Sequence, residues 1–156
     1  SEGLALDRDT VLKGVAEGLA DPGKGLYFVA RSSGAETIAS LMITKEWSDW
    51  HCGWYWWIQS VYVRPEHRRK GVYRQMYKTV RAMAQREQAR ALRLYVDKTN
   101  ARGMSAYHAL GMQQSQYLMY EDDMTSHRTY SHVCPIIFTL SPIMFISSLV
   151  SPCPRV

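Results

Sequence analysis

Apolar residues first recur at helical spacing in Val11, Leu12, Val15 and Leu19, behind Asp7 as an N-cap and ahead of a stop at Asp21-Pro22, which predicts a helix over 7–20. The period then shortens. Leu26 to Arg31 and Glu36 to Thr44 predict two strands of a meander, joined by the Ser32-Ser33-Gly34 turn. Residues 46–57, EWSDWHCGWYWW, hold all five tryptophans around a polar tip and predict an aromatic hairpin that leads into a central strand. Alternation puts Trp54, Trp56, Ile58 and Ser60 on one face of that strand and Tyr55, Trp57, Gln59 and Val61 on the other. At least half of these rings are expected to be sheet core and cross-strand pairs.

The central strand runs to Val63 and breaks at Arg64-Pro65. A basic turn follows, then a helix from Gly71 to about Gln88 with Val72, Met76, Val80, Met83 and Ala84 on one face. Ala91 to Val96 predicts a short strand, Asn100 onward a helix carrying Tyr107, and Gln116 to Glu121 a last strand. Strands followed by strand, helix, strand and helix predict an α/β (α+β) domain.

At Met124 the pattern changes. Thr129 to Pro154 contains no Lys, Arg, Asp or Glu, and 133–150 is as long as a minimal membrane span. Pro135, Pro142 and four Ser or Thr residues argue against a span, so the tail reads as an appended segment, and membrane contact is conceivable only through 133–150. The division is therefore a domain over 1–124 and a tail over 125–156. His127, His132 and Cys134 lack the paired spacing and fourth ligand of a zinc site, and no metal is expected.

Composition sharpens the picture in two places. At 156 residues, 46% hydrophobic and 21% charged, the chain holds one globular domain and excludes a second catalytic one. The net charge of +5 is unevenly spread: seven Lys or Arg residues fall between Arg64 and Arg81 against the single acid Glu66. A strand, basic turn and helix junction aims unpaired backbone N–H groups and the positive end of a helix dipole at one spot, and Arg68, Arg69 and Lys70 add full charges. A phosphate or diphosphate is the expected occupant; a solvated basic face ranks second and a nucleic-acid groove third. Cys52, Cys134 and Cys153 are scattered, and free thiols in a cytoplasmic, reducing setting are the simplest account. No Gly-x-x-x-x-Gly-Lys-Ser/Thr loop, Ser/His/Asp arrangement or zinc motif supports an NTPase, hydrolase or metalloenzyme.

Arg68-x-x-Gly71-x-Tyr73, after a strand ending Val61-Tyr62-Val63, resembles the Arg/Gln-x-x-Gly-x-Gly/Ala coenzyme A loop of the GCN5-related N-acetyltransferases, with Tyr73 in place of the last small residue. Asn100 to Met112 is similar to the family's Asn-x-x-Ala-x-x-x-Tyr-x-x-x-Gly-Phe helix, with Gly103 for the alanine and Met112 for the phenylalanine. The resemblance covers roughly residues 8 to 123 and implies the family's mixed central sheet flanked by helices. It implies transfer of an acetyl group from acetyl-CoA to a primary amine of a small molecule or peptide. It further implies that Val61, Tyr62 and Val63 orient the thioester, that the backbone of Arg69, Lys70, Gly71, Val72 and Tyr73, with Arg68, takes the diphosphate, and that Tyr107 is the acid for the leaving thiolate. Asn100 is expected to cap its helix or to touch the pantetheine arm.

The base is expected among Glu46, Asp49, His51 and Glu121, with Glu46 and Asp49 foremost, and the hairpin rings with those two acids would hold a cationic amine. Family members thread a strand before the first helix, so this chain is expected to lack it and to expose the edge of the Leu26 to Arg31 strand, which allows a homodimer. Two rival readings stay open. One is a non-catalytic acyl-CoA or anion-binding module, and the other a nucleic-acid binder using the 64–81 patch.

Overall fold

The long hairpin Thr37–Ser48 (β2) and Gly53–Val63 (β3) is the backbone of the sheet, and in the computed structural model, which describes residues 6–124, every other element is placed by it. Leu26–Arg31 (β1) lies antiparallel to β2, and Ala91–Leu94 (β4) lies parallel to β3, giving the order β1-β2-β3-β4. A parallel neighbour needs a crossover, and Val72–Arg86 (α2) supplies it. Arg8–Ala20 (α1) precedes the sheet and Ala101–Ala109 (α3) follows it. The mixed α/β architecture expected from the sequence is therefore formed. Among the described residues no strand precedes α1, and β1 is an edge strand.

The core lies between one sheet face and α2. Leu41, Ile43, Trp56 and Ile58 on the strands meet Met76, Tyr77, Val80 and Ala84 on the helix, with Leu41 fully buried and Trp56 and Val80 nearly so. The helix face read from sequence is the one that packs. At least half of the hairpin rings are core or cross-strand pairs, as expected. Trp56 alone is core, Trp47 and Trp54 form an edge-on cross-strand pair with centroids 5.2 Å apart, and Trp50 at the tip is 87% exposed.

Strict alternation fails at Ser60. Its φ of 50° lies in the left-handed region, the β2–β3 register shifts between Ser40 and Met42, and Val61 packs against the core beside Ile58 instead of sharing a face with Trp57. An extra residue in one strand turns all later side chains to the other face.

The opposite sheet face is thinly covered. Asp7 caps α1 as expected, accepting the Thr10 N–H at 2.8 Å, but the predicted apolar face of Val11, Leu12, Val15 and Leu19 is exposed among the described residues. The helix meets the sheet through Gly18, where an added Cβ would come within 3.0 Å of the Tyr27 ring. Amphipathic spacing forms the helix without guaranteeing a cover for its stripe.

The chain divides into two units, Ser1–Gln113 and Gln114–Val156. In the second, the expected strand at Gln116 to Glu121 is not formed. Its start is held in a local turn by a bond from the Tyr117 N–H to Ser115 Oγ at 3.1 Å, and no ladder pairs it. Cys52, in the hairpin turn with φ of 44°, is disulfide-bonded, so the expectation of free thiols fails there. The expectations for 125–156, including the 133–150 span and the histidines, lie outside the described residues. Among the described residues no helix is long and apolar enough to cross a membrane, and no group of His, Cys, Asp or Glu could hold a metal ion.

Candidate active site

The loop after β3 is built to leave donors unpaired. Arg64 opens it, paired with Glu36 and, through Nε at 2.7 Å, with Glu66, and the 3-10 turn Pro65–His67 ends when the Arg68 N–H bonds Pro65 O. Arg68 then folds back, its Nε donating to Val63 O at 2.9 Å, so this cation ties the loop to the end of β3. Arg69 has φ of 62° and Gly71 φ of 79°. Two left-handed residues spaced this way curl successive N–H groups toward one concavity, and the wider conformational freedom of glycine makes Gly71 the cheaper of the two.

The first backbone bond of α2 runs from the Gln75 N–H to Gly71 O, so the N–H groups of Arg69 to Arg74 have no backbone partner among the described residues. A helix N-terminus carries roughly half a positive charge. Arg69, Lys70 and Arg74 make no ion pair among the described residues, leaving their charges available to an anion.

Beside this loop the sheet opens. The β3–β4 ladder ends at the Ile58–Leu94 pair, while β3 continues to Val63. Gln59, Ser60, Val61, Tyr62 and Val63 thus border a notch on the side away from β2, with no strand there among the described residues. A linear ligand with amide groups could pair there as a strand would, and its carbonyl would meet N–H donors. The expected thioester residues Val61 to Val63 and the diphosphate residues Arg68 to Tyr73 are brought together at one end of the sheet, joined by the Arg68 tie.

Tyr107 stands on α3. The helix begins at Asn100, whose Oδ1 accepts the Gly103 N–H at 2.8 Å, so Asn100 acts as a cap. An added Cβ at Gly103 would come within 2.8 Å of that amide, which accounts for glycine in place of alanine. The helix closes with the Gly111 N–H on His108 O and the Met112 N–H on Tyr107 O, the paired bonds of a Schellman turn.

Tyr73 points from the start of α2 toward α3. Its ring meets the edge of Tyr107 with centroids 5.9 Å apart and lies 6.4 Å from Tyr77. Its hydroxyl is buried without a hydrogen-bond partner among the described residues, and burial, reinforced by the Tyr107 and Tyr77 phenols, pushes it far above the ordinary phenol range. The bulky residue at the family's small position is accommodated by turning its ring into the space between the two helices.

Glu46, Asp49 and His51 lie on the hairpin side of β3, apart from this end. Glu46 faces Tyr55 across the hairpin, its Oε2 accepting the Trp57 Nε1–H at 2.7 Å and its Oε1 lying 3.5 Å from Arg93 Nη1. Asp49 is in the turn, accepting the Trp50 N–H, and is separated from Val63 by the length of β3, roughly 30 Å at strand rise. His51 Nδ1 lies 2.9 Å from Tyr55 Oη. Gln59 donates to Thr44 Oγ1 at 2.7 Å.

Sequence reasoning missed Arg93, whose guanidinium sits 3.5 Å over the Tyr55 ring, and Tyr95, stacked on Trp57 at 4.5 Å. The signal for Arg93 was a charge inside the apolar run Ala91 to Leu94. A cleft of about 350 Å³ against the C-terminal half of α2, lined by Tyr77, Arg81, Gln85, Arg90 and Met112, lies elsewhere. Ten residues of helix, about 15 Å, separate Arg81 from Gly71.

The acetyltransferase (GNAT) family model matches residues 6–112, and the chain belongs to that family. Among solved structures, a possible acetyltransferase from Clostridium difficile 630 is similar at 38% identity and a TM-score of 0.74, over 81% of this chain and 83% of that one. The aminoglycoside 6'-N-acetyltransferase AAC(6')-IG from Acinetobacter haemolyticus shares the fold at 19% identity and a TM-score of 0.64, over 79% of this chain and 86% of that one. AAC(6')-Iy, solved with a bisubstrate analogue containing CoA, shares it at 16% identity and a TM-score of 0.64, over 78% and 83%. No curated protein matches the chain.

Proposed function

We propose that the protein transfers an acetyl group from acetyl-CoA to a primary amine. The observation that carries the reading is the run of N–H groups from Arg69 to Arg74 without a backbone partner among the described residues, beside the side of Gln59 to Val63 that faces away from β2 and that β4 does not reach. The loop takes the diphosphate, the pantetheine arm lies along the notch as an added strand, and the thioester carbonyl is polarised by N–H groups of the Val61 to Val63 stretch. The neutral amine attacks the carbonyl carbon and the C–N bond forms. The tetrahedral intermediate loses the nitrogen's proton to solvent, the C–S bond breaks, and Tyr107 protonates the departing sulfur and recovers its proton from water. A positioned phenol can act as general acid as negative charge develops on the departing sulfur. Glu46, held by Trp57 and Arg93 on the hairpin side, and Asp49 in the hairpin turn are not used.

The test is thiol release from acetyl-CoA in the presence of amines, together with thermal protection by CoA. Protection with thiol release supports the enzyme. Protection without release over a broad amine screen leaves an acyl-CoA binder, the reading that Tyr73 at the small position favours. No protection by CoA, with a shift on adding single-stranded nucleic acid, overturns both.

A further inference from the structure

Where β3 and β4 part, a pair of rings stands on the sheet face opposite α2. Trp57 and Tyr95 stack at 4.5 Å with 23° between their planes, and Tyr95 is 57% exposed, so one face of the stack is turned to solvent. Trp57 is held in place from below: its indole N–H is bound by Glu46, and Arg93 lies 5.5 Å from its ring while covering Tyr55.

The charge of this wall is balanced. Glu46 is the single acid in the four strands, and Arg93 stands beside its other oxygen at 3.5 Å. Gln59, one alternation further along β3, is neutral and bonded to Thr44. A polycation entering here would find no uncompensated carboxylate on the strands and would face the Arg93 guanidinium, and unpaired like charges at close range are costly. A flat apolar group finds a ring to stack on.

We infer that the acceptor, on the acetyl-transfer reading above, is a monoamine bearing an aromatic group that stacks on the outer face of Tyr95, with Tyr95 and Trp57 as the specificity-determining residues. The aminoglycoside and polyamine classes are excluded by the same charge balance, although an enzyme named for aminoglycosides shares the fold. Tyr95 follows Leu94, the last residue paired to β3, and so stands where the notch opens.

The experiment compares 2-phenylethylamine, 2-cyclohexylethylamine, ethylamine and spermidine as acceptors for the full chain, by thiol release, in wild type, Tyr95→Ala and Tyr95→Phe. Wild type is expected to use phenylethylamine at least tenfold better than spermidine in kcat/KM, and several-fold better than its cyclohexyl analogue. Tyr95→Ala should lower kcat/KM for phenylethylamine about tenfold while leaving ethylamine turnover and CoA affinity within twofold, and Tyr95→Phe should restore it. Preference for spermidine, or an equal loss for phenylethylamine and ethylamine in Tyr95→Ala, overturns the inference. Saturation-transfer NMR on the phenylethylamine ring protons gives a readout independent of turnover. Saturation of the ring protons in wild type that disappears in Tyr95→Ala supports the inference even if thiol release is absent with all four amines, an outcome that would count against the acetyl-transfer reading alone. No saturation of the ring protons in wild type overturns the inference.

Discussion

The two ends of β3 teach different lessons about how a site is encoded. At the Val63 end the functional groups are backbone N–H and C=O, exposed because the chain turns left-handed at Arg69 and Gly71 and because β4 ends at Leu94. At the Gly53 end they are side chains, packed into a network of rings, one acid and one guanidinium whose membership depends on which strands become neighbours. A backbone site demands particular residues at particular spacings, and a side-chain site accepts many solutions. The same division separates the two sheet faces, one sealed by α2 and the other left largely open beside α1.

The largest effect is expected where a side chain is forced into the backbone site. Gly71→Asp places a Cβ at φ of 79° and a negative charge among the unpaired N–H groups, and should lower CoA affinity at least a hundredfold by calorimetry, whereas Arg69→Ala should cost only a few-fold. Equal, small losses from both would mean that the binding is not made by the backbone.

Sequence carried the fold in proportion to how local its causes are. The α2 stripe, the Asp7 cap, the hairpin and the Arg68 to Tyr73 loop were legible because each follows from spacing or from one residue's conformational range. The facing of Val61 was misread because a bulge at Ser60 reverses alternation and leaves no compositional mark. The strand at Gln116 to Glu121 was misread because strand-forming residues need a partner that propensity does not supply. Arg93 and Tyr95 were missed because the parallel register Trp57–Arg93 joins residues 36 positions apart.

Contrasting the faces gives the next effect. Leu41→Ala on the sealed face should cost about 2–5 kcal/mol in denaturant unfolding, and Leu12→Ala, 56% exposed on α1, within about 0.5 kcal/mol. A large loss at Leu12 would show that this face is covered in solution. Tyr107→Phe should lower turnover at least tenfold with CoA affinity little changed; unchanged turnover would make Tyr107 a packing residue.

The smallest effect concerns the departure from the family loop. Tyr73→Phe removes a buried, unpaired hydroxyl and should stabilise the protein by about 1 kcal/mol at neutral pH, read as a rise in Tm. Because the folded-state pKa of Tyr73 is raised, its protonated form is bound more tightly in the folded protein, so its contribution is complete below the unfolded phenol value near 10 and falls as pH rises above it. The variant should therefore lose less stability than wild type between pH 10 and pH 11. A lower Tm in the variant would mean that the hydroxyl finds a partner in solution.

The claim that a diphosphate is held by backbone donors is tested most directly by amide hydrogen exchange with and without CoA. Saturating CoA should slow exchange at the N–H groups of Arg69 to Arg74 and leave those of the α2 interior, such as Val80 to Ala84, unchanged. Bound CoA with no protection at Arg69 to Arg74 would contradict the account.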